Sequence, residues 1–226
     1  MLFRLLLLTA LLAAAPAWPM PRPVVVELFT SQACSSCPPA DALLRRLAAR
    51  DPGVLALDLH VTYWNGAAYR DPFALAQATA RQGWYARLWH ASEVYTPQAV
   101  IDGRAQVVGS DARGLRAAIA HARGQAGPSV PVTIAVRDGT VRVMLGAGPA
   151  GTGQVVLFGY DLAHTTRVGG GENAGATLTE IDVVRSVTPL GAWRGAPRRF
   201  TATRPAGERF AVLVQAADGK VLGVGR

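Results

Sequence analysis

Two cysteines, no long apolar run beyond the first residues, no block of like charge and no internal repeat characterise this 226-residue chain. Two cysteines are too few for a four-cysteine metal site or a multi-disulfide scaffold. The formal charge of +8 raises the question of nucleic acid. The basic residues, however, are mostly scattered arginines with no run of five or more, and no nucleic-acid motif accompanies them. What remains is solubility and weak attraction to anionic surfaces. The absence of a repeat excludes a solenoid. No Ser/His/Asp set stands at a recognisable spacing. Gly169-Gly170-Gly171 lacks the Lys-Ser/Thr that follows in a phosphate loop, and reads instead as a turn or a loop at a domain contact.

The apolar run at the start is short. Met1 to Arg4 is a basic n-region, Leu5 to Ala15 is apolar, and Ala15-Pro16-Ala17 fits a small-x-small cleavage site. A spanning helix needs about 20 apolar residues, so residues 1–17 read as a signal peptide cut near Ala17 or, uncleaved, as an N-terminal anchor. No membrane span follows. The expectation is an exported protein, periplasmic or secreted, whose mature charge falls by one with the loss of Arg4.

The cysteines that are present form Cys34-Ser35-Ser36-Cys37. The apolar run Val24 to Phe29 precedes them and reads as a buried strand. Pro38-Pro39-Ala40-Asp41 follows and opens a helix, where prolines are tolerated because the first turn has no N–H bonds to lose. Cys-x-x-Cys between strand and helix suits thiol–disulfide exchange: the unpaired N–H groups and dipole of the helix start favour a thiolate, the species that attacks a disulfide. Two other readings stay open. An inert bridge gains little from so short a loop. A thiolate pair completed by His60 would suit Cu(I) or Zn(II), while His90 sits on an amphipathic helix and reads as solvent-exposed.

Farther on, Val54 to Val61 is a second strand and about 72–89 a helix. Asp102-Gly103 joins short strands at about 98–101 and 105–108 as a hairpin. Asp111 caps a last helix with the stripe Leu115, Ala118, Ile119 and Ala122. Gly124 to Pro128 reads as a linker. Beyond it, short strands with glycine turns and no good helix suggest an antiparallel β-sandwich. The expected units are residues 22–124 and 129–226. The aromatic residues Tyr63, Trp64, Tyr69, Trp84, Tyr85 and Trp89 line a substrate groove on one reading and pack a core on the other.

The order β, Cys-x-x-Cys, α, β, α, β, β, α resembles that of the thioredoxin fold, with Thr96-Pro97 just before the third strand. That resemblance implies a cis Pro97 facing the cysteines, with the backbone at Thr96 free to pair with an extended substrate. The stretches 25–41, Tyr95-Thr96-Pro97-Gln98 and Gly171-Glu172-Asn173-Ala174-Gly175 resemble a family of bacterial exported proteins catalogued as domain of unknown function 1223, a thioredoxin-like branch. Family members carry an acid after His-Val and another after Tyr-Trp. This chain has Thr62 and Asn65 there, which removes any proton or ion role of those acids.

The resemblance implies an α/β thioredoxin-like domain followed by a small, mostly antiparallel β-sandwich-like domain. In it Cys34 is the nucleophile, Cys37 the resolving thiol, and Thr96 and Trp64 contact substrate. Thioredoxin has a buried acid near the position of Glu27, so Glu27 is either the proton acceptor for Cys37 or a salt-bridged carboxylate. The expected partners are protein or small-molecule thiols and disulfides, with no cofactor and no nucleic acid. The direction of exchange and the oligomeric state do not follow from the sequence.

Overall fold

Seven consecutive residues, Val24–Thr30, are buried on both faces and form β1; Val54–His60, equally buried, forms β2 beside it in parallel register from Val24↔Val54 to Thr30↔His60. Only a strand covered on both sides can be so continuously buried. The cover comes from helices. Pro38–Arg50 is α1, Ala76–Leu88 is α2 and Ala112–Gly124 is α3. The structure is a computed structural model and describes residues 22–125 and 127–226; the expected signal peptide lies outside the described residues.

The period-two alternation of β1 and β2 sorts the core. Val24, Val26, Leu28, Val54 and Ala56 pack with Ala40 and Leu44 of α1 and Leu115 and Ile119 of α3. Val25, Phe29, Leu55, Leu57 and Leu59 pack on the other face with Ala78 and Tyr85 of α2. Each large side chain fully buried in this way contributes about 1.5–3 kcal/mol. Asp111 caps α3 as expected, accepting from the amides of Arg113 and Gly114.

Gln98–Ile101 (β3) runs antiparallel to β1 and turns into Ala105–Val108 (β4). Asp102 and Gly103 both have positive φ, 52° and 67°, as the centre of a type I′ turn requires, and the Arg104 amide closes that turn on the Ile101 carbonyl at 3.0 Å. Glycine is also needed at 103 for space, since a Cβ there would lie 2.0 Å from the carbonyl oxygen of Gly219.

The expected pairing of a thioredoxin-like α/β domain with a separate small sandwich is corrected by the sheet itself. The remaining strands are Val132–Arg137 (β5), Thr140–Leu145 (β6), Gly153–Arg167 (β7), Thr177–Trp193 (β8), Arg198–Thr203 (β9), Arg209–Gln215 (β10) and Val221–Gly225 (β11). Four of them continue the sheet of the first half, in the order β11-β10-β7-β8-β2-β1-β3-β4. The chain is therefore mostly β, with a mixed eight-stranded sheet and three helices among the described residues.

The physical reason lies at β2. Its apolar residues would make a poor sheet edge, and β8 covers that edge in parallel, with Asp58 opposite Val183. A second sheet, β5-β6-β9, closes a further apolar layer around Leu157, Val212 and Trp193. No helix among the described residues is long and apolar enough to cross a membrane.

Candidate functional site

The parallel strands β1 and β2 deliver their C-terminal ends to one place. From Thr30 the chain turns through Ser31, Gln32 and Ala33 into Cys34, and α1 starts at once behind it. Cys37 is the N-cap of α1, with Pro38 and Pro39 filling the first positions. The two cysteines are joined in a disulfide with Cα atoms 5.4 Å apart, and both residues have 0% exposure. Ser35 and Ser36 between them face solvent. Ser36 Oγ lies 3.3 Å from Cys34 Sγ.

The structure brings Thr96, Pro97 and Trp64 to this disulfide. Thr96–Pro97 is a cis bond. Thr96 Oγ1 donates to Cys34 Sγ at 3.4 Å and accepts from Trp64 Nε1 at 2.7 Å. A single indole–hydroxyl–sulfur chain therefore fixes which way the Thr96 proton points. Tyr63 and Tyr95 beside it are 43% and 37% exposed and form an apolar rim.

Glu27 is placed elsewhere. Strand alternation turns residue 27 to the α2 face, opposite α1. There its carboxylate is ion-paired with Arg81 and accepts from Tyr85 at 2.6 Å. Gln215 completes the group by accepting from Arg81 at 2.9 Å and donating to Tyr85 at 2.8 Å. Burial, outweighed by the Glu27 charge, leaves the Arg81 pKa raised; burial raises that of Tyr85. Among the described residues the hydrogen bonds of Glu27 go to Arg81 and Tyr85, not to either cysteine.

The acids that do lie on the α1 face are others. Asp58 and His60 project from β2 beneath the start of α1, where they meet Asp41 of α1, Asp71 of the loop before α2 and Glu180 of β8. All five are buried. Asp71 Oδ2 lies 2.7 Å from His60 Nδ1 and accepts from the Gln32 amide at 2.8 Å and from Ser31 Oγ at 3.2 Å. The cluster is thus wired to the turn that carries Cys34.

Beyond these bonds the cluster is short of partners. His60 Nε2 faces Asp58 at 3.6 Å and Glu180 Oε1 at 3.8 Å; among the described residues His60 Nε2, Glu180 Oε1 and both Asp58 oxygens have no hydrogen bond. Burial, then the charge of Asp58, holds the Asp41 carboxyl well above its usual range. Burial raises Asp58 as well and lifts Glu180 to about 7. For His60 burial works against the charged form but is outweighed by Asp58 and Asp71, so its pKa is raised. For Asp71 burial is likewise outweighed, here by the His60 bond, and its pKa is lowered. Among the described residues no group of three or more His, Cys, Asp or Glu side chains stands where it can hold a metal ion.

Two further side chains at the site come from the second half of the chain. Asn173 Nδ2 donates to the carbonyls of Gln32 and Cys34, at 3.0 and 2.8 Å. Glu172 Oε2 accepts from the Ser35 amide at 2.9 Å and its hydroxyl at 2.6 Å. Sequence reasoning missed both in these roles, although they lie in one of the stretches that carried the family resemblance. It also missed Asp41, Asp58, Asp71 and Glu180. The available signal was Asp58, two residues from His60 and so on the same face of an otherwise apolar strand.

Comparison with known proteins follows the same outline. The profile of a family described as "Protein of unknown function (DUF1223)" matches residues 25–215. A crystal structure of protein AGR_C_4864 from Agrobacterium tumefaciens is 33% identical, covering 92% of this chain and 95% of that one, with a TM-score of 0.77. HBP35 of Porphyromonas gingivalis shares the fold, with a TM-score of 0.62 at 11% identity over 91% of this chain and 74% of its own. No curated protein sequence matches.

Proposed function

We propose that this chain, which belongs to the DUF1223 family of proteins of unknown function, is a thiol–disulfide exchange protein working through Cys34 and Cys37. The observation that carries the reading is the disulfide at the start of α1 with the Thr96 hydroxyl directed at Cys34 Sγ. A hydroxyl donor and the first turn of a helix both favour negative charge on that sulfur.

Cys34 is the nucleophile, because Thr96 and Ser36 address its sulfur and, among the described residues, no side-chain hydrogen bond addresses that of Cys37. In the reduced protein the Cys34 thiolate attacks a substrate disulfide and forms a mixed disulfide. Cys37 then attacks Cys34 and releases the substrate thiol. The backbone at Thr96, just before Pro97, pairs with an extended substrate, and Trp64, Tyr63 and Tyr95 receive its apolar groups. Substrates are protein or small-molecule disulfides, met in an exported, oxidising setting where such a pair persists.

The test is a redox titration of the full chain against glutathione buffers with free thiols counted. A potential between about −120 and −270 mV, the range of known exchange catalysts, supports the reading. A value well below about −300 mV, or thiols that never reoxidise, overturns it. Cys37→Ser should trap mixed disulfides, and Cys34→Ser should form none.

A further inference from the structure

Besides Glu180 of β8, which accepts from Gln32 at 2.7 Å, the second half of the chain meets the cysteine turn through a short segment, residues 168–176 between β7 and β8. Its base is closed by the Val168 amide donating to Ala176 and the Gly175 amide donating to Val168, each at 2.8 Å. Its tip is seated closely. A Cβ on Gly170 would lie 2.3 Å from the Ala68 carbonyl oxygen, and Gly171, at φ +73°, stands with its Cβ position 3.3 Å from Ala33. Four hydrogen bonds from Glu172 and Asn173 then fall on Gln32, Cys34 and Ser35.

The two side chains do different work. Asn173 is neutral and holds backbone carbonyls, which fixes the position of the loop. Glu172 carries a full charge in solvent. Its hydrogen bonds from the Ser35 hydroxyl and amide hold its carboxyl below the usual range, so it is anionic at neutral pH. A turn needs no such charge, and this one lies against the residue next to Cys34. The +8 formal charge of the whole chain draws anions from a distance, whereas this carboxylate opposes them at the mouth of the site.

We infer that Glu172, on a loop anchored by Asn173, is a specificity-determining residue that favours disulfides carrying cationic or neutral groups beside the S–S bond and rejects anionic ones. This rests on the thiol–disulfide reading above. The step that exposes it is oxidation of the reduced protein by a small disulfide RSSR. The Cys34 thiolate attacks one sulfur, the RS–SR bond breaks, and RS⁻ leaves and takes up a proton. Cys37 loses its proton and attacks the Cys34 sulfur, which expels the second RS⁻ and restores the Cys34–Cys37 bond. Two electrons pass from protein to RSSR, which ends as two RSH.

The probes are cystamine and 3,3′-dithiodipropionate, which place an ammonium or a carboxylate two methylenes from each sulfur. Their rates of oxidising the full reduced chain are compared with those for Glu172→Gln, which keeps an acceptor oxygen for Ser35 and removes the charge. Differences in leaving-group chemistry cancel between wild type and variant. The expected result is a cystamine-to-dithiodipropionate rate ratio that falls by about tenfold in the variant at low salt, from one unit charge acting oppositely on two probes across a few ångströms of water.

Salt screens the long-range pull of the +8 chain over a Debye length of about 10 Å at 0.1 M, so the proteins are compared at equal salt, and Glu172→Lys, which reverses the charge, should lower the ratio further. A ratio unchanged by both Glu172→Gln and Glu172→Lys overturns the specificity role and leaves exchange chemistry standing. Oxidation by neither probe overturns the exchange reading, and the specificity role falls with it.

Discussion

Replacing Glu180 by glutamine should flatten the pH dependence of stability of the oxidised protein. The Glu180 side chain is buried, its Oε1 has no hydrogen bond among the described residues, and Asp58 lies in the same cluster. Burial therefore lifts its pKa from an ordinary 4.5 to about 7. Between those values the folded protein holds a proton that the unfolded chain has released, so stability falls as pH rises. A shift of that size corresponds to about 3 kcal/mol.

His60 acts in the same sense at higher pH. Its pKa is raised in the fold, so the stability from its charged form is complete below 6.5 and is lost as pH climbs through the folded value. Asp71, lowered instead, contributes stability that disappears only as pH falls below the usual carboxylate range. The oxidised protein should therefore be more stable at pH 5 than at pH 7. Glu180→Gln keeps an acceptor for Gln32 Nε2, now 2.7 Å from Oε2, and removes the titration. Urea unfolding at pH 5 and pH 7 reads the difference. A wild type equally stable at both, or a variant with the same decline, would refute the argument that this cluster stores protons.

Two further outcomes follow from the hydrogen bonds. Arg81→Met leaves the Glu27 carboxylate buried with Tyr85 as its main partner; breaking a buried pair on one side should cost about 3–5 kcal/mol in urea unfolding, most of it recovered in the double variant with Glu27→Gln, and a loss under about 1 kcal/mol would contradict the importance of that pair. Thr96→Val removes the donor to Cys34 Sγ. One hydrogen bond is worth about 0.5–1.5 kcal/mol, and a two-electron couple moves about 30 mV for 1.4 kcal/mol. The potential should therefore fall by about 10–30 mV as the reduced thiolate loses its support, and an unchanged potential would remove Thr96 from the chemistry.

What was legible in the sequence was local. The order of β1, α1, β2, α2, β3, β4 and α3 came from apolar periodicity, from Asp102-Gly103 and from the Asp111 cap, each a signal spanning a few residues. The partnership of strands is not local. Nothing in the pattern from 177 to 193 says that this segment covers β2 rather than closing a separate sandwich, because an alternating strand fits either neighbour and register is decided by packing. The two readings of Glu27 stayed open for the same reason, and the salt-bridged carboxylate is the one found. Its distance from Cys34 in sequence was judged without its face, and β1 turns odd residues to α2 and even ones to α1.

That non-local pairing is also what completes the site. With β8 against β2, Glu180 comes to the His60 cluster, and the turn leading into β8 sets Glu172 and Asn173 on the cysteine loop. A first half folded alone would leave the Cys34 carbonyl and the Ser35 amide without these partners, and the open edge of β2 beside Asp58 and His60. The β-rich half therefore supplies both the edge strand and the charge next to the disulfide. Substitutions at Glu172 or Glu180, well over a hundred residues from Cys34, should alter the reactivity of the pair or the proton balance beneath it while the Cys-x-x-Cys sequence itself is unchanged.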